Sequence, residues 1–223
     1  MTTRSQRILA ASEGPLAASG AVRFIRESTD GTLGQAEFAA YLAIEERFVR
    51  TAARIAGLSL WLQPDWTIAE RHATAVADLV GEQLDYFRGI RSRWPADEAT
   101  ATRAIDRSSA LSTYALTTAE TGGYWAAITC MFAAESLYSR WCATAAATPV
   151  TRSPDLDAWI TLHTEPAFLR QVELLRMLLD SMPADIPDAT VTDWFDGMLG
   201  AEDSFHNAVY QPSVQDNEFQ DNA

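Results

Sequence analysis

The apolar residues of this chain recur at a helical period almost throughout, and no stretch alternates with the period of two that a strand needs. Between Leu33 and about Gly57, Phe38, Tyr41, Leu42, Phe48, Val49 and Ile55 form one stripe, with Arg47, Arg50 and Arg54 on the other side. Gly and Pro cut the remaining pattern into short-looped segments. Residues 1–14 read as a loose leader. A first helix follows Pro15 and stops at Thr29-Asp30-Gly31, and another runs from Gln63-Pro64-Asp65 to Trp94-Pro95. A fourth begins near Asp97 and is expected to stop at Gly122-Gly123; a fifth runs from Tyr124 to Ala147. After Ser153-Pro154 a long helix reaches Met182-Pro183, and a last one spans Thr190 to about Tyr210. The expectation is an all-α fold, one multihelical bundle of about seven helices over residues 15–211. Residues 212–223, polar and acidic, read as a disordered tail.

Charge and residue usage exclude several functions. The net charge of -13 repels phosphate backbones and anionic membrane surfaces, so no nucleic acid and no membrane is expected as partner. All 17 basic residues are arginine, and a chain without lysine has no Schiff-base or phosphate-loop lysine. Cys130 and Cys142 fall on one helix, about 18 Å apart, too far for a disulfide. With no signal-like or membrane-spanning run, the reading is cytoplasmic.

Carboxylates carry the functional signal. Glu135 lies in Phe132-Ala133-Ala134-Glu135-Ser136-Leu137-Tyr138, sharing a face with Met131, Phe132 and Tyr138. Glu45 sits with Tyr41 and Phe48, and Glu202 falls in the stripe of Leu199, Phe205 and Val209. A carboxylate on an apolar face is desolvated, its pKa rises, and a raised pKa suits proton transfer near neutrality. Helix bundles build pockets from inward side chains on facing helices, so these three converge as candidate catalytic residues. Glu46 reads as solvated, His72, between Arg71 and Ala73, as a surface histidine, and His163 as a core or pocket-wall residue.

These blocks resemble the TenA, or thiaminase II, family. The first is Asp30-Gly31-Thr32-Leu33 followed by Phe38, Tyr41-Leu42 and Glu45, with Glu45 where an aspartate is usual. The last is Glu202-Asp203-Ser204-Phe205-His206-Asn207-Ala208-Val209-Tyr210, with His206 in place of a tryptophan. In the middle block Ala134 stands where many members have a cysteine, and Phe132, Glu135 and Tyr138 are similar to the branch carrying a glutamate instead. The resemblance implies a haem-oxygenase-like fold and a homo-oligomer, a dimer or tetramer. It also implies a pocket for a small pyrimidine, with no metal or other cofactor. Glu202 would move protons, Glu45 would hold the pyrimidine nitrogens and Glu135 would replace the covalent route. Tyr41, Phe48, Tyr114, Tyr138, His163 and Phe205 would surround the ring.

The implied activity is hydrolysis of an N-formyl- or aminomethyl-pyrimidine in thiamin salvage by carboxylate acid-base catalysis. Two other classes remain open. One is an oxidase or oxygenase on the same fold, for which Glu45, Glu135, His163 and His206 are conceivable ligands, although no Glu-x-x-His repeat occurs. The other is a non-enzymatic small-molecule-binding or regulatory protein.

Overall fold

The computed structural model describes residues 2–210, and the expected tail lies outside them. Ten α-helices follow in order: α1 (Arg4–Ala11), α2 (Glu13–Ser19), α3 (Arg23–Asp30), α4 (Gln35–Leu62), α5 (Trp66–Asp78), α6 (Leu84–Arg93), α7 (Glu98–Ala147), α8 (Pro154–Leu162), α9 (Pro166–Asp180) and α10 (Asp188–Asn207). A π-helical turn, Leu79–Gln83, joins α5 to α6. No strand occurs among the described residues, so the fold is all-α. α7 packs most extensively against α10 and α4.

Local chemistry sets the helix starts. The Asp65 carboxylate accepts from the amides of Thr67 and Ile68, Asp97 from Thr100, and Ser153 from Leu156 ahead of Pro154. α3 ends on Gly31 in the left-handed region (φ 71°), where a Cβ would lie 2.7 Å from the Thr151 carbonyl oxygen. Arg152 draws the same corner together. Its buried guanidinium donates to the carbonyls of Ser28, Thr29 and Ala145, closing the ends of α3 and α7 at once.

Several expectations need correction. Residues 1–14 are not a loose leader: α1 and α2 place Ile8 and Leu16 in the core. Arg4 reaches Asp188 at 2.9 Å and the carbonyls of Met182, Pro183 and Ile186, while Asp180 accepts from the Ser5 amide. These partners lie about 180 residues away in sequence, beyond any local pattern. Pro15 falls within the first turn of α2, where it is tolerated. The helix expected from Ser153-Pro154 to Met182 is two, broken before Pro166.

His72 is buried rather than on the surface, its Nε2 3.2 Å from Tyr124 Oη. Its sequence neighbours Arg71 and Ala73 point to other sides of the helix, so they carried no information about it. Glu46 is not freely solvated either. It is mostly buried and pairs with Arg91 and Arg50.

Gly122-Gly123 interrupts α7 as expected: two helical segments meet there at a kink, with Gly123 at φ 69°, ψ -152°, a conformation essentially confined to glycine. No atom lies within 4 Å of a Cβ built there, so a substitution meets backbone strain and no clash. Gly123→Ala should therefore cost about 1–3 kcal/mol and lower Tm by several degrees in a thermal melt. An unchanged Tm would mean that the kink is not strained for other residues.

Candidate active site

α4 runs through the centre of the bundle, and Phe38 to Glu45 are all buried. Tyr41 and Glu45, one turn apart, share a face, and Tyr41 Oη donates to Glu45 Oε1 at 2.5 Å. From α7, Tyr138 Oη donates to the same oxygen at 2.7 Å. The hydroxyls are 3.0 Å apart, as two donors converging on one acceptor must be. Burial raises the Glu45 pKa, and the two hydroxyls partly offset the rise. Burial and the Glu45 charge hold both tyrosines well above their ordinary value.

α10 contributes Glu202, Phe205 and His206, all buried. Burial, then the charges of Glu45 and Glu135, push Glu202 well above the usual carboxylate range. His206 lies one turn on. Its Nε2 is 3.4 Å from Tyr138 Oη and its Nδ1 3.9 Å from Glu202 Oε2. Burial lowers its pKa to about 4. From α3, Phe24 stacks on Tyr41 at 4.3 Å and on His206 at 5.3 Å, fixing both rings.

Glu135 differs from the other two. On α7 the face of Met131, Ala134 and Glu135 keeps partial exposure, while Phe132, Ala133, Ser136 and Leu137 are buried. Glu135 makes no hydrogen bond or ion pair among the described residues. Burial, reinforced by Glu45, nevertheless raises its pKa to about 7. Glu135 thus combines partial exposure with a desolvated carboxyl.

The aromatic residues around this cluster are held in turn. Phe48 packs on Phe205 at 5.8 Å. His163, at the end of α8, is buried with Nδ1 2.8 Å from the Trp159 carbonyl oxygen and its ring 5.2 Å from that of Tyr138. Burial takes its pKa to about 4. Tyr41, Glu45, Phe48, Glu135, Tyr138, His163, Glu202 and Phe205 are thus joined through contacts or mutual charge. Tyr114 is not. Its hydroxyl donates to the carbonyls of Asp193 and Trp194 on α10, two turns before Glu202.

Sequence reasoning missed His206 as part of this network, although Glu202 and His206 have the one-turn spacing of Tyr41 and Glu45. It also missed Cys142, the thiol nearest the carboxylates, whose pKa burial raises and the charges of Glu135 and Glu45 raise further. The two clefts near Trp94, of about 180 and 630 Å³, include none of the clustered residues. Among the described residues no three His, Cys, Asp or Glu are grouped so as to hold a metal ion, and no helix is long and apolar enough to cross a membrane.

The fold is similar to that of proteins of known structure. A TenA homologue from P. horikoshii superposes with a TM-score of 0.81 at 14% identity, over 93% of this chain and 98% of the other. A TenA homologue from Pyrococcus furiosus gives 0.78 at 17%, over 93% and 100%. A protein described as a TenA family transcription regulator, from a Silicibacter species, gives 0.80 at 14%, over 94% and 97%. At such identities the likeness speaks for the fold alone, which in TenA structures is the haem-oxygenase-like all-α fold. No curated protein matches the chain. Residues 23–212, which carry every clustered side chain, match the family described as TENA/THI-4/PQQC, and the chain belongs to that family.

Proposed function

We infer that the chain is a hydrolase of thiamin salvage, acting on an N-formyl- or aminomethyl-pyrimidine without a covalent enzyme intermediate. The observation that carries this reading is Glu135, a partly exposed carboxyl with its pKa raised to about 7, together with a Glu202 held well above the usual carboxylate range. Hydrolysis at a poor amine leaving group needs a base for water and an acid for nitrogen, and carboxyls of unequal proton affinity supply both. Glu135 takes the proton from water as the water oxygen bonds to carbon. Glu202 gives its proton to the nitrogen as the C–N bond breaks. Glu45, one oxygen held by two phenols, offers the other to the amino and ring nitrogens of the pyrimidine. Phe48, Phe205 and Tyr138 flank the ring.

The glutamate-type branch of the family fits this reading, because neither thiol is prepared to attack. Cys130 and Cys142 are buried, and burial pushes Cys130 up to about 12 and Cys142 higher. A regulatory role, as in the description of the Silicibacter protein, is disfavoured by the net charge of -13. A cytoplasmic homo-oligomer, a dimer or tetramer, belongs to the same reading. Trp61 and Trp66, at 83% and 76% exposure, are consistent with a surface covered by another copy.

Incubating the protein with N-formyl-aminopyrimidine, aminomethylpyrimidine and thiamin, and following amine or formate release, tests the assignment. Turnover of one of the two pyrimidines is expected; none for any of the three would sink it. Glu135→Gln and Glu202→Gln should each lower kcat by about two to four orders of magnitude, with Cys130→Ser retaining most activity. A dead Cys130→Ser with an active Glu135→Gln would assign the chain to the cysteine-dependent route.

The pH profile follows from the same groups. A base must be ionised, so kcat/KM should be lost as pH falls through about 7, the Glu135 value. An acid must be protonated, so it should fall again on the alkaline side as Glu202 ionises. A profile flat from pH 5 to pH 9 would contradict these roles.

A further inference from the structure

α7 turns at Gly123, and α10 lies between its two limbs. The limb before the kink runs antiparallel to α10: Tyr114 reaches the carbonyls of Asp193 and Trp194, and Arg107 donates to the Ala208 carbonyl oxygen at 2.6 Å. The limb after it runs parallel: the Phe132 ring lies 5.9 Å from that of Phe195, and Tyr138 Oη lies 3.4 Å from His206 Nε2. α10 carries Glu202, and the second limb carries Glu135 and Tyr138. The position of α10 along its own axis therefore sets how these groups meet.

Two reciprocal notches fix that position. At Gly197 on α10 a Cβ would lie 2.1 Å from Tyr114 Oη and 2.4 Å from its Cζ, so only the bare backbone of a glycine lets the phenol lie across the helix. Seated there, the hydroxyl is 3.2 Å from the carbonyl oxygens of both Asp193 and Trp194. At Gly122 on α7 the roles are exchanged: a Cβ would lie 3.0 Å from Trp194 Cζ2. Each helix thus holds an aromatic ring of the other on a glycine. Sliding by one residue, about 1.5 Å, would take both rings off their glycines and onto side chains, which a close-packed interface resists. Glu202 lies about 7.5 Å further along the same helix, so a displacement at Gly197 is passed on to it.

We propose that Tyr114 is a positioning residue: seated on Gly197, it sets the height at which α10 presents Glu202 to Glu135 and Tyr138. It acts through the helix and touches none of the three. The use of Glu202 in turnover rests on the hydrolase reading, but its placement by Tyr114 does not.

Carbon-13 titration of the Glu202 carboxyl in the whole, unliganded protein reads this placement without a substrate. Gly197→Ala drives the phenol off the helix, and Tyr114→Leu empties the notch. Each should bring the Glu202 midpoint down by about one pH unit or more as α10 shifts and water reaches the carboxyl. Each should also lower kcat roughly tenfold to a hundredfold, with KM changed less than about threefold. The double variant should lose no more than the worse single, because both changes break one contact. Ile90→Val, a core change on α6, should lower Tm and leave the Glu202 midpoint where it is. Folded variants at Tyr114 and Gly197 that lose Tm but keep the wild-type midpoint and kcat overturn the proposal, and so do additive losses in the double. Should Gly197→Ala not fold, Tyr114→Leu decides by the same readings. If the wild-type protein hydrolyses no pyrimidine, the hydrolase reading fails while the midpoint still decides the placement.

Discussion

Two phenol hydroxyls meet on a single oxygen of Glu45, and much of the molecule is arranged around that contact. A carboxylate sealed in a helical core is unfavourable unless donors replace its water. Tyr41 supplies one from the same helix and Tyr138 the other from α7, so the hydrogen bonds that satisfy Glu45 also hold α4 to α7. Phe24 packs on Tyr41 from α3, and Trp159 approaches its edge from α8. Loss of either phenol leaves the carboxylate under-solvated and loosens the aromatic layer packed around it.

From this contact the electrostatics of the site follow. Glu45 is buried but served by two donors, so its rise in pKa is restrained. Glu202 has none of that help and feels both other carboxylates, so it is pushed well above the usual carboxylate range. Glu135, partly exposed and without a donor, is raised to about 7. Three chemically identical side chains are thus given three proton affinities by the donors and the space around each. Proton transfer in both directions needs such a spread, which a solvated cluster of glutamates would lack.

Much of this was legible in the sequence, and the misses share a cause. Asp65, Asp97 and Ser153-Pro154 mark their helix starts because capping is local, and Glu45, Glu135 and Glu202 stand out because helical period is local too. α1 was not legible, since what fixes it is Arg4 finding Asp188 across the chain. His72 was misjudged from its sequence neighbours when its partner, Tyr124, lies on another helix. Tyr114 was drawn toward the site by resemblance, whereas its hydroxyl is held on the backbone of α10. His206 had a readable signal, the one-turn spacing from Glu202, but its meaning depends on Tyr138 arriving from α7.

The central claim is that Glu135 is a carboxyl poised near neutrality beside a Glu202 of strongly raised pKa and a donor-held Glu45. The most direct measurement is a pH titration of carboxyl carbon-13 resonances in glutamate-labelled protein, with Glu135→Gln assigning one signal and Glu202→Gln another. The account predicts a Glu135 midpoint near 7 and a Glu202 midpoint well above the ordinary carboxylate value. Both groups titrating at the ordinary value of 4.5 would contradict it.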